Sequence, residues 1–185
     1  MSGITVKWKR RVARVVQIPL VRHLMLWGIR VVVPRHRVGV AVVLLDDDER
    51  VLLLRHVFHP STPWGLPGGW LGGHESPADG ALRELKEETG LTAVLGPTIH
   101  VTYGVNPSHI GIAYLGKLTS HQITLSPEII EARWFPIDNL PTPMLPFTIG
   151  AIHAAHRYQQ VLHILQPYWY PQQNRVPQEE KITHE

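Results

Sequence analysis

The sequence predicts an α/β fold built around one domain, and three observations predict it. Short apolar runs rich in β-branched residues recur between polar connections from Val38 to Pro136. One helical stretch, residues 76–90, carries recognisable signals at both of its ends. Of the 185 residues 44% are hydrophobic, which suits a folded chain with a sizeable core and argues against wholesale disorder.

The elements follow in order. The segment from Trp8 to Val33 reads as helix, broken near Pro19, with bases interleaved among apolar residues. Its most apolar run, Val15 to Val33, is interrupted by Gln17, Pro19, Arg22, His23 and Arg30, so it does not supply the roughly 20 apolar residues of a membrane span. It also lacks the uninterrupted core and small-residue cleavage site of a signal peptide. Residues 1–45 hold nine Lys or Arg and no acid, which leaves nine bases and fifteen acids in the remaining 140 residues. A basic helical extension over residues 1–36, joined to a mildly acidic body over 37–165, suggests contact with an anionic membrane surface, an acidic partner, or help in holding phosphates. An interfacial amphipathic helix and a helix packed on the body are both compatible with the pattern.

Val38 to Leu45 and Val51 to Phe58 read as two strands joined by the polar turn Asp46-Asp47-Asp48-Glu49-Arg50, whose acids suit a solvated hairpin tip. Arg55, at the end of the second strand, is a candidate phosphate contact. Pro63, Trp64, Gly65, Pro67, Gly68 and Gly69 mark a loop whose backbone must turn sharply or approach something closely. Beyond the helix, Ala93–Val105 and His109–Thr119 read as two more strands, and Glu131–Pro136 as a short one. Met144–Leu165 reads as a C-terminal helix, and residues 166–185 as an irregular tail.

Within residues 76–90 the sequence encodes a helix. Ser76 is an N-cap, Pro77 takes the first helical position, Asp79 completes a capping box, and Gly90 suits the left-handed residue past the end. Ala78, Ala81, Leu82 and Leu85 form a stripe for docking on a sheet. Glu84, Glu87 and Glu88, spaced three and four apart, share another side of the helix. Like charges at that spacing oppose helix formation by about 0.2–0.5 kcal/mol per pair, so propensity alone does not favour them. A divalent cation turns the repulsion into attraction, and magnesium, which takes carboxylate oxygens and substrate phosphates, fits best, with manganese as the alternative.

The full stretch Gly69 to Leu91 matches the pattern G-x5-E-x7-R-E-U-x-E-E-x-G-U, with U aliphatic, at all nine specified positions. A chance match at a given start is on the order of 10⁻⁹ on average composition, too rare for an ordinary solvated charge run. The stretch resembles the Nudix box, the signature of hydrolases that cleave nucleoside diphosphates linked to another moiety, and residues 131–141 (EARWFPIDNLP) resemble the closing element of such domains. The resemblance implies a Nudix-like α/β/α sandwich with a mixed sheet, and a pyrophosphohydrolase that uses Mg²⁺. It implies that the Gly69 carbonyl joins Glu84, Glu87 and Glu88 at the metal, and that Arg83 pairs with Glu75 and leaves the glutamates free. Glu128 becomes an auxiliary ligand or general base, although a plain N-terminal helix acid fits it equally. The proton from the attacking water goes to Glu84 or Glu87, with Glu128 as the alternative base.

The expected substrate is a small nucleoside diphosphate derivative such as ADP-ribose or a nucleotide sugar. A nucleoside triphosphate of the sanitising type and a non-catalytic nucleotide-sensing domain stand as alternatives, and a lipid-linked diphosphate rests only on the basic N-terminus. Pro107, sixteen residues after Leu91, lies about where ADP-ribose-type members carry a proline. Trp64, Trp70 and Tyr103 are aromatic candidates to stack on a base. Specific nucleic-acid binding is not expected, and a homodimer is compatible with the sequence, which does not fix the oligomeric state. The absence of cysteine excludes disulfides, thiol nucleophiles and thiolate metal sites, and agrees with a cytoplasmic location. Neither a zinc site at His153, His156 and His163 nor a Ser-His-Asp triad is supported by accompanying ligands or a nucleophile elbow.

Overall fold

A computed structural model of the chain describes residues 17–32, 36–105 and 107–169. The chain divides into two compact units, Met1–His36 and Arg37–Glu185. In the first unit, helix α1 runs Pro19–Val32. Proline at the opening position explains why the helix starts there, since no N–H is needed in the first turn. The part of the expected helix before residue 17 lies outside the described residues.

The second unit holds two sheets. Strands β1 (Arg37–Leu44), β4 (Gly68–Trp70), β5 (Ala93–Val105) and β6 (Ser108–Leu118) form a four-stranded sheet in the order β4-β1-β6-β5. It is mixed, because β1 runs parallel to β6 and antiparallel to β4, while β5 and β6 are antiparallel. Strands β2 (Arg50–His56), β3 (Trp64–Gly65) and β7 (Ile129–Pro136) form a second, antiparallel sheet in the order β3-β2-β7.

The first two strands therefore part instead of forming the extended hairpin expected of them. Only the bridge Leu45–Val51 joins them beyond their turn, and each becomes the centre of its own sheet. Burial of both strands explains their near-continuous apolar sequences: Val42, Val43 and Leu44 are fully buried, as are Val51 to Leu54. Their turn is held by Asp46, whose Oδ1 accepts the Asp48 and Arg50 amides and whose Oδ2 accepts Arg50 Nε at 2.8 Å.

Two helices cover the strands. Helix α2 (Pro77–Thr89) lays Ala81 and Leu85 on Val40, Val42, Leu44 and Leu52. Helix α3 (Pro146–Trp169) lays Ala151, Ile152 and Ala155 on Ala41, Val43, Val51 and Leu53. Alternation along β1 thus sends even-numbered residues toward α2 and odd-numbered ones toward α3, which is the α/β/α sandwich. Helix α3 starts at Pro146 and runs four residues beyond the expected end at Leu165. Its last turn takes in the first part of the expected tail, and residues 170–185 lie outside the described residues.

The loop expected around residues 63–69 is partly strand. Gly68, Gly69 and Trp70 pair with Ala41, Val40 and Gly39, flanked by hydrogen bonds from Val42 N to Pro67 O (2.9 Å) and from Leu71 N to Val38 O (2.8 Å). This pairing carries the start of the acidic motif onto the edge of β1.

Leu85 is fully buried in the layer between α2 and the sheet. Leu85→Ala is expected to cost about 2–5 kcal/mol through lost contacts and a residual cavity. Urea unfolding reads this directly, and a loss below about 1 kcal/mol would mean the helix is not docked there.

Candidate active site

Helix α2 builds the site. Ser76, in extended conformation, accepts the Asp79 amide at 3.1 Å, and Gly90, at φ 71°, donates its amide to Lys86 O at 2.8 Å. Both ends are therefore fixed as the sequence prescribes. Past the helix, the chain returns to it: Thr124 N donates to Thr89 O (2.8 Å) and Ser126 N to Glu88 O (3.0 Å). Those bonds satisfy carbonyls at the helix end and bring Glu128 alongside, where its own carbonyl accepts the Val57 amide at 2.9 Å.

The three helix glutamates occupy different environments. Glu87 is exposed, Glu84 is half-buried, and Glu88 is buried at 8% exposure. Glu88 Oε2 accepts the Gly68 amide at 2.9 Å, a bond that reaches from the helix to β4. Burial pushes the Glu88 carboxyl up to about 8, helped by the like charges of Glu84, Glu128 and Glu87, while the Gly68 amide opposes the rise. Burial also raises Glu84, against the pull of Arg83. These four carboxylates thus share one field, although they come from a helix and a later loop.

Gly69 explains the tight spacing. A Cβ placed there would stand 2.5 Å from Glu84 Cδ and 2.6 Å from both carboxylate oxygens, so only glycine leaves that space to the carboxylate. Gly68 is equally constrained, since a Cβ there would lie 2.2 Å from Val40 O.

Arg83 is the hub of the ionic network. Its Nε and Nη2 reach the two Glu75 oxygens at 3.0 and 2.7 Å, a forked pair, as expected. The bond from Arg83, joined by the Gly72 amide at 2.6 Å, holds Glu75 down at about 2. Contrary to the expectation, Arg83 does not leave the other glutamates alone. Nη1 also contacts Glu84 Oε1 at 3.0 Å and Glu87 Oε2 at 2.9 Å, and Nη2 reaches Trp70 O at 3.3 Å. Among the described residues no group of three or more His, Asp or Glu side chains is gathered in an arrangement that could hold a metal ion. The chemistry of the donors nonetheless fits a hard divalent cation: carboxylate oxygens only, with one of them buried among like charges. A cation held there would compete with Arg83 for Glu84 and Glu87.

His56 is the site residue that the sequence reading missed. Its Nδ1 stands 3.6 Å from Glu88 Oε1. Burial pushes His56 down to about 4, with a smaller contribution from His59, so near neutral pH the contact joins a neutral imidazole to a protonated carboxyl and is no ion pair. The signal was present in strand alternation. His56 shares a face of β2 with Leu52, which packs under α2, whereas Arg55 faces the other way.

Beside the carboxylates opens a cleft of about 210 Å³ that begins at Gly68, Gly69 and Trp70. His56, His59, Trp64, Trp70, His109 and Phe147 supply its rings, and no Lys, Arg, Asp or Glu lines it. Trp70 meets His109 edge-on at 5.5 Å, and the Arg37 guanidinium lies 5.9 Å from its ring. Trp64 meets Phe135 edge-on at 4.8 Å. Of the expected substrate contacts, Trp64 lines the cleft. Arg55 does not: it is exposed and paired in register with Trp64 and Glu131. Tyr103 does not line the cleft either, and its hydroxyl hydrogen-bonds Ser108 Oγ at 2.8 Å.

The NUDIX domain family matches residues 35–155, and the chain belongs to that family. An RNA pyrophosphohydrolase of Caulobacter vibrioides is 35% identical over 144 residues, covering 65% of this chain and 84% of the relative. A putative 8-oxo-dGTP diphosphatase of Bacillus subtilis is 30% identical over 109 residues, covering 58% and 72%. Among solved structures, a MutT NUDIX hydrolase from Burkholderia pseudomallei aligns with a TM-score of 0.56 at 25% identity, over 65% of this chain and 98% of that one. A NUDIX hydrolase from Nitrosomonas europaea aligns with a TM-score of 0.59 at 23% identity, over 67% and 90%, a likeness of fold. Nudix hydrolases use divalent metal ions.

Two outcomes test this geometry. Without metal, the native chain keeps the Glu88 proton up to about pH 8, whereas an ordinary carboxyl releases it near 4.5. The unfolded state therefore binds fewer protons and stability falls with rising pH. His56 acts oppositely, but only between about 4 and 6.5. Between pH 6.5 and 8 the fall is unopposed, with a slope of at most about 1.4 kcal/mol per pH unit. Glu88→Gln, or an added divalent cation, should flatten it in thermal scans, and an unchanged slope in the variant would remove Glu88 as its cause. Gly69→Ala should displace the Glu84 carboxylate and lower turnover at least about tenfold, as a small misplacement of catalytic groups does, with the fold retained by circular dichroism.

Proposed function

We propose that the chain hydrolyses a phosphoric anhydride bond in a small nucleotide derivative that carries one nucleoside. The observation that supports it is the adjacency of the carboxylate cluster to an uncharged aromatic cleft. A phosphate chain requires cations or donors, and the cleft offers no Lys or Arg, so the cleft suits the base and the carboxylate side suits the phosphates. At about 210 Å³ it lies below the 300–1,000 Å³ typical of whole drug-sized ligands, which favours a single ring system over the two bases of a dinucleoside polyphosphate.

In this reading Glu84, Glu87, Glu88 and the Gly69 carbonyl, with Glu128, hold Mg²⁺. The bound ion would neutralise charge on the diphosphate and acidify the attacking water. Glu84 accepts the proton of that water, and its half-burial, which raises its affinity for a proton, suits the role. Glu87 is the alternative base. Arg83 positions Glu84 and Glu87 and, through Glu75, fixes the loop that precedes the helix. Trp64 and Trp70, with the neutral His56, form the walls against which a base stacks.

Two substrate classes fit this geometry. One is a nucleoside diphosphate linked to another group, such as ADP-ribose or a nucleotide sugar. The other is a nucleoside triphosphate. The named activity of the Bacillus relative, a putative 8-oxo-dGTP diphosphatase, favours the second.

Turnover measured on both classes with Mg²⁺ in excess separates them, with oxidised triphosphates and dinucleoside polyphosphates included. Metal-dependent hydrolysis of one class is expected, falling by several orders of magnitude in Glu84→Gln and Glu88→Gln. Near-normal activity in both variants would end the proposed mechanism. Binding without turnover across the panel would instead favour a nucleotide sensor.

A further inference from the structure

We propose that the N-terminal unit is an interfacial anchor that holds this chain on anionic lipid bilayers. Helix α1 displays Leu20, Leu24 and Trp27 at i, i+4 and i+7, the spacing of a single helical stripe. These side chains are 69%, 60% and 67% exposed. Ile18, Met25 and Val32 are exposed as well, but by the helical period they fall away from the stripe, toward the side of Arg22. By the helical period Arg22 falls on the side opposite the stripe.

Charge selects the partner. Residues 1–45 contain nine Lys or Arg and no Asp or Glu, and five of these bases, Lys7, Lys9, Arg10, Arg11 and Arg14, precede α1. A nucleic acid would satisfy the charge but leave Leu20, Leu24 and Trp27 in water. An apolar groove on a protein would cover the stripe but not call for nine bases without an acid among them. Anionic headgroups above hydrocarbon satisfy both at once. The helix cannot cross: its 14 residues span roughly 21 Å, short of the ~30 Å hydrocarbon core. Among the described residues no helix is long and apolar enough to do so. It therefore lies in the plane of the interface, with Trp27 at the level of the headgroups.

Flotation of the full chain with phosphatidylcholine vesicles, with and without phosphatidylglycerol, tests the anchor. The protein is expected to float with the anionic vesicles, to remain behind with the neutral ones, and to be released by salt. Leu24→Glu combined with Trp27→Glu should lower partitioning at least about tenfold, because two charges then enter the apolar side. Replacing Lys9, Arg10 and Arg11 with Gln should lower it on the order of 100-fold, at about fivefold per base. Both variants should keep the thermal midpoint of the parent, since the altered side chains are outside the second unit's core. Equal recovery with neutral and anionic vesicles overturns the proposal, as does unchanged flotation of the Leu24/Trp27 variant. Full-length protein that ignores vesicles but binds single-stranded RNA at the same salt overturns it as well.

Discussion

The hydrogen bond from the Gly68 amide to the buried Glu88 carboxylate ties the last turn of α2 to the glycine strand, and the rest of the site is arranged around that junction. It exists because Ala81 and Leu85 dock the helix on β1 and β2, leaving no room between helix and strand for side chains on the strand. Glycine at 69 is the consequence, and glycine at 68 follows from its close approach to the Val40 carbonyl of β1. With those positions bare, a carboxylate from the helix stands directly over the backbone of β4, and the same strand leads into the aromatic cleft.

The electrostatics of the site run against the preferences of its members. Four carboxylates share a small region, one of them buried, and the two that Arg83 contacts there, Glu84 and Glu87, are held by the same guanidinium that also forks onto Glu75. Arg83 keeps Glu75 ionised at almost any pH, while Glu88, beyond its reach, takes up a proton near neutrality. One helix and the loop before it thus carry carboxyls with ordinary chemistry and opposite tendencies, separated only by burial and by distance to one cation. Such a region gains most from a divalent cation, which supplies the positive charge the fold withholds from Glu88.

Much of this was legible before any coordinates. Ser76, Pro77 and Gly90 mark the helix ends by local chemistry that does not depend on the rest of the chain, and they hold the helix as written. The spacing of Glu84, Glu87 and Glu88 follows from the helical period alone. The pairing of Arg83 with Glu75 came with the family resemblance, and the structure shows it. What failed depended on faces and depth. Arg55 and His56 are adjacent in sequence, and the charged residue drew attention, yet the one-residue step between them turns the histidine to the helix and the arginine away. The parting of β1 and β2 into different sheets was hidden because a strand buried on both faces reads the same in a hairpin as in a sandwich.

The sequence by itself determined the fold class, the family, the helix that carries the acids, and the basic character of the N-terminal unit, because each is written in local spacing or composition. Only the tertiary structure decided that Glu88 is buried while Glu87 is exposed, that Arg83 binds three carboxylates and not one, and that His56, Trp70 and Phe147 share a cleft. The burial of Glu88 and the shared cleft depend on which surfaces meet between elements distant in sequence, and those meetings are set by packing between elements, not by the period of any one of them.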